Sequence, residues 1–73
     1  MRRIQVNGGV EVVHSSVSDA LAEQIATLRD HACKAGDLAQ AQLCRRALLD
    51  GDAAAIRACE RVLQETRAMV DES

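Results

Sequence analysis

The chain contains no phenylalanine, tyrosine, tryptophan or proline in 73 residues. Each absence excludes something. Without Phe, Tyr or Trp the usual stacking platform for single-stranded nucleic acid is missing. Most aromatic hot spots of protein interfaces are missing too. An aromatic side chain buries about 150–250 Å², and here the largest core pieces are Leu, Ile and Met. No apolar run approaches the ~18 residues that a membrane span needs. The start, Met1-Arg2-Arg3-Ile4-Gln5-Val6, is charged but has no apolar segment of the signal-peptide kind. Three cysteines are an odd number for a secreted disulfide framework. Nine basic and eleven acidic residues give a net charge of −2, with no global pull towards nucleic acid or anionic lipid. The expectation is a cytoplasmic chain with no membrane association.

Motifs for chemistry are also missing. Cys33, Cys44 and Cys59 include no Cys-x2-Cys pair. His31 and Cys33 are two apart on a helix and diverge by roughly 160°. Cys44 and Cys59 suit small buried hydrophobes, and Cys33, beside the apolar stripe, suits an exposed thiol. His14 lies next to Ser15 and Ser16, but nothing in the sequence supplies the third member of a triad. No acid pair or Gly-rich phosphate loop occurs, and Gly8-Gly9 reads as a turn. We therefore expect no catalytic residues, no metal, no cofactor and no enzyme.

What is present points to a folded chain, with 48% hydrophobic and 27% charged residues. One domain is the ceiling at this length. So small a chain buries only about 60% of its unfolded surface. Such domains are helped by oligomerisation or very regular helix packing.

Residues 3 to 14 read as a β-hairpin. A three-residue loop, Asn7-Gly8-Gly9, would pair Val6 with Val10, Gln5 with Glu11 and Ile4 with Val12. It gathers Ile4, Val6, Val10 and Val12 on one apolar face, whereas a two-residue loop mixes the faces. The three-residue loop is therefore expected. Beyond it, Ser16 or Ser18 can cap a helix in which Leu21, Ile25, Leu28, Ala32 and Ala35 form one stripe. Gly36 stops that helix. Asp37 caps the next, with Gln40 as its capping-box partner. Asp50-Gly51 ends it, and Asp52 caps the third. The architecture expected is mainly α: a compact three-helix bundle with tight Gly-Asp joints, preceded by an N-terminal hairpin, and α+β if that hairpin is ordered. The hairpin covers 1–14 and the helical part 15–73, with helices at about 17–35, 38–49 and 53–70, in a single domain.

A shift of fifteen residues aligns the chain with itself. Gly36-Asp37 falls on Gly51-Asp52, Cys44 on Cys59, Arg46 on Arg61 and Leu48 on Leu63, and six of the thirteen positions from 36 to 48 are identical. Stop, cap and small core residue at a fixed offset explain this. Cys44 and Cys59 should lie level with each other and with Leu28. Ile25, Leu48 and Ile56 should form a second layer.

The middle helix is the shortest. The third should overhang it, exposing Met69 and Val70, and the first should overhang at the other end near Val17 and Leu21. With Val10 and Val12 on the hairpin, these residues make the expected partner interface, most simply that of a homodimer. The alternative is DNA binding, through a helix-turn-helix-like pair of helices or the basic N-terminal ribbon. Its contacts would be Arg2, Arg3, Arg45, Arg46, Arg57 and Arg61. Against it, Asp50 and Asp52 sit at the turn, and Glu60 and Glu65 interleave with the arginines.

From Ala35 to Leu63 the text runs Ala-Gly-Asp, Leu43-Cys44-Arg45-Arg46-Ala47-Leu48, Gly51-Asp52, Ala58-Cys59 and Val62. This segment resembles small uncharacterised helical proteins of proteobacteria and their phages or mobile elements. The resemblance implies a bacterial, cytoplasmic setting and no activity.

Overall fold

The computed structural model describes the backbone of residues 2–6 and 9–72, and side chains as far as residue 66. It is a three-helix bundle preceded by a two-stranded antiparallel hairpin. The strands are β1 (Arg2–Val6) and β2 (Gly9–Val13), and the helices are α1 (Asp19–Ala35), α2 (Leu38–Asp50) and α3 (Ala53–Glu72). Helix α2 is the middle layer. It packs extensively on both α1 and α3, which touch each other far less.

The helix ends follow the expected chemistry. Ser18 has extended backbone, and its hydroxyl accepts from the Leu21 N–H at 3.3 Å. Gly36 adopts the left-handed conformation with φ 77°. The Gly36 N–H donates to the Cys33 carbonyl and the Asp37 N–H to the Ala32 carbonyl, which closes α1 as a Schellman motif. The Asp37 carboxylate accepts from the Gln40 N–H at 3.2 Å, and Asp52 accepts from the Ala54 N–H at 3.0 Å. The reciprocal half of the capping box is absent. The Gln40 side chain instead donates to the Cys44 sulfur at 3.6 Å.

The hairpin register corrects the expectation. Val6 pairs with Gly9, Gln5 with Val10, Ile4 with Glu11, Arg3 with Val12 and Arg2 with Val13. The connection is therefore two residues, Asn7-Gly8, which themselves lie outside the described residues. β1 presents the face expected of it, but β2 is turned over. Val13 is fully buried, while Val10 and Val12 point outward. Apolar patterning failed here because Glu11 can face inward at little cost. Arg29 of α1 grips its carboxylate with two hydrogen bonds, at 2.5 and 3.1 Å. The pairing gives up Val10 and Val12 as core residues. It gains Val13, whose burial contributes about 1.5–3 kcal/mol, and that charged pair.

The linker from strand to helix is tied down at three points. The His14 N–H donates to the Leu48 carbonyl at 2.7 Å, satisfying one of the orphan acceptors at the end of α2. Val17 is buried in the core. Arg2 donates to the carbonyls of His14, Ser15 and Val17 and pairs with Asp19 at 2.7 Å.

The core is aliphatic and small. On α1 the buried residues are Ala22, Ile25, Ala26 and Ala32. The predicted stripe is therefore turned towards Ala22 and Ala26, which share a flank with Arg29 and lie under the hairpin. Leu21 and Leu28 are left half-buried and Ala35 exposed. On α2, Ala41, Cys44, Ala47 and Leu48 are buried, and on α3, Ala55 and Cys59. The Cys44 and Cys59 sulfurs lie 3.8 Å apart, so these two residues do share a level.

The two Gly-Asp joints look alike in sequence and differ in surroundings. At Gly36 a Cβ would meet no atom within 4 Å. At Gly51, φ 65°, it would lie 2.5 Å from the His14 Nδ1 and 2.6 Å from the Ser16 hydroxyl. Gly36→Ala should therefore cost about 1 kcal/mol, the price of a left-handed alanine. Gly51→Ala should cost about 3 kcal/mol or more. Adding His14→Ala and Ser16→Ala should reduce that excess. Urea unfolding of the four variants measures this, and equal costs at the two glycines would show that His14 does not lie against the joint.

The Glu11–Arg29 pair predicts a pH dependence. The Arg29 hydrogen bonds hold the Glu11 carboxyl below its ordinary value of 4.5. A depressed carboxyl stabilises the fold above its unfolded pKa, and that stability is lost as pH falls through the folded value. Glu11→Gln should therefore cost about 1 kcal/mol at neutral pH. The difference from the parent chain should close as pH falls below about 4.5. Unfolding midpoints across that pH range test the sign.

Candidate functional site

A groove of about 520 Å³ lies between α1 and α3. One wall is the flank of α1 facing away from the hairpin, where Ala20, Gln24, Thr27 and His31 recur in steps of four, three and four, with Leu28 beside them. The other wall is Leu63 and Thr66 of α3. The groove exists because α2 holds the two outer helices apart and α3 runs on past the end of α2. Twenty residues of helix extend about 30 Å against about 20 Å for the thirteen of α2.

The walls are chemically quiet. The Thr27 hydroxyl donates to the Glu23 carbonyl at 3.1 Å, and the Thr66 hydroxyl to the Val62 carbonyl at 2.9 Å. Both polar groups are thus satisfied by their own helices. Leu28 and Leu63 are only half-covered. Glu23 and His31 stand exposed at the rim. Such a groove can seat apolar side chains, and among the described residues it offers no paired acid and base.

The predicted interface residues divide. Leu21 is half-buried and, with Gln24, Glu60, Leu63 and Gln64, lines a smaller cleft of about 110 Å³ continuous with the groove. Val17, expected at an exposed overhang, is instead 1% exposed, because Arg2 draws the linker inward over the hairpin core. Val10 and Val12 are exposed, but on the outer face of the hairpin rather than at the groove. Met69 and Val70 lie outside the described side chains. Sequence reasoning missed the α1 wall. Its signal was an uncharged stripe one flank away from the apolar one, at Ala20, Gln24 and Thr27.

The arginines considered for nucleic acid also divide. Arg2 is committed to the linker carbonyls and Asp19, so it is not a free cation on a ribbon. Arg3, Arg45, Arg46, Arg57 and Arg61 are exposed. Arg57 and Arg61 stand one turn apart on α3 with Glu60 between them and Glu65 beyond, all exposed.

His14 and Ser16 meet, with Nδ1 2.8 Å from the hydroxyl. The same Nδ1 also accepts the Ser16 backbone N–H at 3.1 Å. The pair is thus a local turn packed on Gly51, and among the described residues no third group orients the ring. No cluster of three His, Cys, Asp or Glu side chains that could hold a metal occurs among the described residues. No described helix is long and apolar enough to cross a membrane.

Cys33 is exposed, whereas Cys44 and Cys59 are buried and unbonded. Burial, reinforced by Cys44, pushes the Cys59 thiol up to about 12. It stays protonated and donates to the Cys44 sulfur. A thiol reagent at neutral pH should modify Cys33 quickly and the other two only on unfolding. Mass spectrometry of the labelled native chain checks this, and fast double labelling would contradict it.

Comparisons with family models, with curated proteins and with solved structures find no match to this chain.

Proposed function

We propose that this chain is a small non-catalytic protein-interaction module, working in the cytoplasm, that self-associates through the groove between α1 and α3. The observation that carries the reading is the groove itself. It is about 520 Å³ of space lined by Ala20, Leu28 and Leu63 in a chain that has no Phe, Tyr or Trp to fill its own core. A second copy supplies what the chain needs, an apolar helix face of matching length, and two-fold pairing closes without leaving a further surface open. Covering Leu28 and Leu63 on both copies adds burial that the isolated core does not provide. The satisfied threonines favour a helix face over a polar ligand. The bacterial or mobile-element setting implied by residues 35–63 is compatible with such a module.

Sedimentation equilibrium over a wide concentration range tests the reading. The expected result is a dimer. Ala20→Arg, on an exposed position of the groove, and Leu63→Asp should each shift it to monomer with the helical circular dichroism retained. A strict monomer at millimolar concentration, or a dimer indifferent to Ala20→Arg, would overturn it.

A further inference from the structure

A second surface lies on the opposite side of α1 from the groove. Four large hydrophobic side chains among the described residues are exposed: Val10 (64%) and Leu38 (69%) strongly, Val12 (39%) and Leu49 (37%) in part. They are not scattered. Leu38, Gln42, Arg45 and Leu49 recur on α2 in steps of four, three and four, which is one helical stripe. Leu49, Arg45 and Val12 line one cleft of about 190 Å³ between α2 and the hairpin, floored by Leu48 and the Glu11–Arg29 pair. Val10 continues the line on the outer face of the hairpin, where Arg3 stands opposite Val12.

The exposed charges along the middle of this line that lack an ion partner among the described residues are positive. Arg3, Arg45 and Arg46 are exposed and form no ion pair among the described residues. The acid within the line, Glu11, is already held by Arg29. The exposed Asp37 carboxylate, which caps α2, marks the acidic end of the line beside Leu38. Asp50 ends α2 one turn beyond Arg46, roughly 100° round the helix from Leu49, so it borders the Arg46 flank and not the Leu38–Leu49 line itself. The chain as a whole is acidic, with a net charge of −2. A basic, apolar stripe on an acidic protein is a surface with a definite complement.

We propose that the face formed by the α2 stripe and the outer side of the hairpin docks an acidic amphipathic helix of a different protein. Its apolar residues would follow Leu38, Leu49, Val12 and Val10. One aliphatic side chain would enter the cleft below Arg45, and flanking Glu or Asp would meet Arg45, Arg46 and Arg3. This is helix-in-groove recognition with electrostatic selection of the partner. A nucleic acid would gain from the arginines but nothing from four exposed aliphatic side chains, and no ring here stacks a base.

The test uses the full chain and two labelled helical peptides. Both carry leucines at i, i+3, i+4 and i+7. One has Glu on the flanks, the other Lys. Fluorescence anisotropy should show the Glu peptide binding at least about ten-fold more tightly, with the preference shrinking as salt is added. Arg45→Glu with Arg46→Glu should reverse the preference, and Leu49→Ser should weaken both peptides, with unchanged thermal melts. No binding, equal binding, or a preference that survives Arg45→Glu with Arg46→Glu overturns the proposal. A short DNA duplex that competes the Glu peptide off at lower concentration than a second Glu peptide does assigns the face to nucleic acid instead. If Leu49→Ser dissolves a dimer that Ala20→Arg leaves intact, the face holds a second copy, and both readings fall. If Ala20→Arg alone yields monomers and the peptide preference persists, both stand independently.

Discussion

The Glu11–Arg29 ion pair governs which way the hairpin faces, and most of the surface follows from that. A strand has two sides, and turning β2 over exchanges every residue between core and solvent. With Glu11 held by Arg29, Val13 goes into the core and Val10 and Val12 go out. The next residue, His14, then meets the end of α2, where its N–H takes the Leu48 carbonyl and its ring lies on Gly51. Arg2, on the inward face of β1, closes the linker from the other side. One half-buried charge, once neutralised, therefore sets the register, the path of the linker and the apolar outer face of the hairpin.

The helical part was written openly in the sequence, because its signals are local. Ser18, Asp37 and Asp52 cap the neighbouring amides, and Gly36 and Gly51 take the left-handed conformation that stops α1 and α2. Even the level of Cys44 and Cys59 could be counted off from the joint between them. The register of the hairpin was not legible, because it depends on Arg29, eighteen residues from Glu11. Pattern reading treats an acid as a solvent residue, and only the fold shows that a partner waits inside. The same blindness misplaced Val17. Its neighbours look like linker, and the Arg2 hydrogen bonds that pull it in span twelve to fifteen residues.

The groove was half legible. Unequal helix lengths pointed to an overhang at Met69 and Val70, which lie outside the described side chains, whereas the groove opens at Leu63, a residue expected to face inward and found half-covered. Its opposite wall is made of Ala20, Gln24 and Thr27, residues with no strong hydropathy. They line a cavity because α2 spaces the outer helices, which is a property of the packing and not of any residue. The absence of aromatic rings also reads differently in three dimensions. Alanine at 22, 26, 41, 47 and 55, with two thiols in contact, lets the elements approach closely. That closeness leaves Leu21, Leu28 and Leu63 to be used at the edges.

The open joint at Gly36 has a practical meaning. Its left-handed turn is finished by hydrogen bonds within α1 itself, and no side chain from elsewhere lies over the space a Cβ would fill. Gly51 is roofed by His14 and Ser16, which leave no room beside it. The chain thus has one seam that faces the solvent and one that is sewn shut. A reporter sequence, or a cut that joins new termini, belongs between α1 and α2, where extra residues can leave the body of the protein without disturbing the hairpin or the cysteine layer.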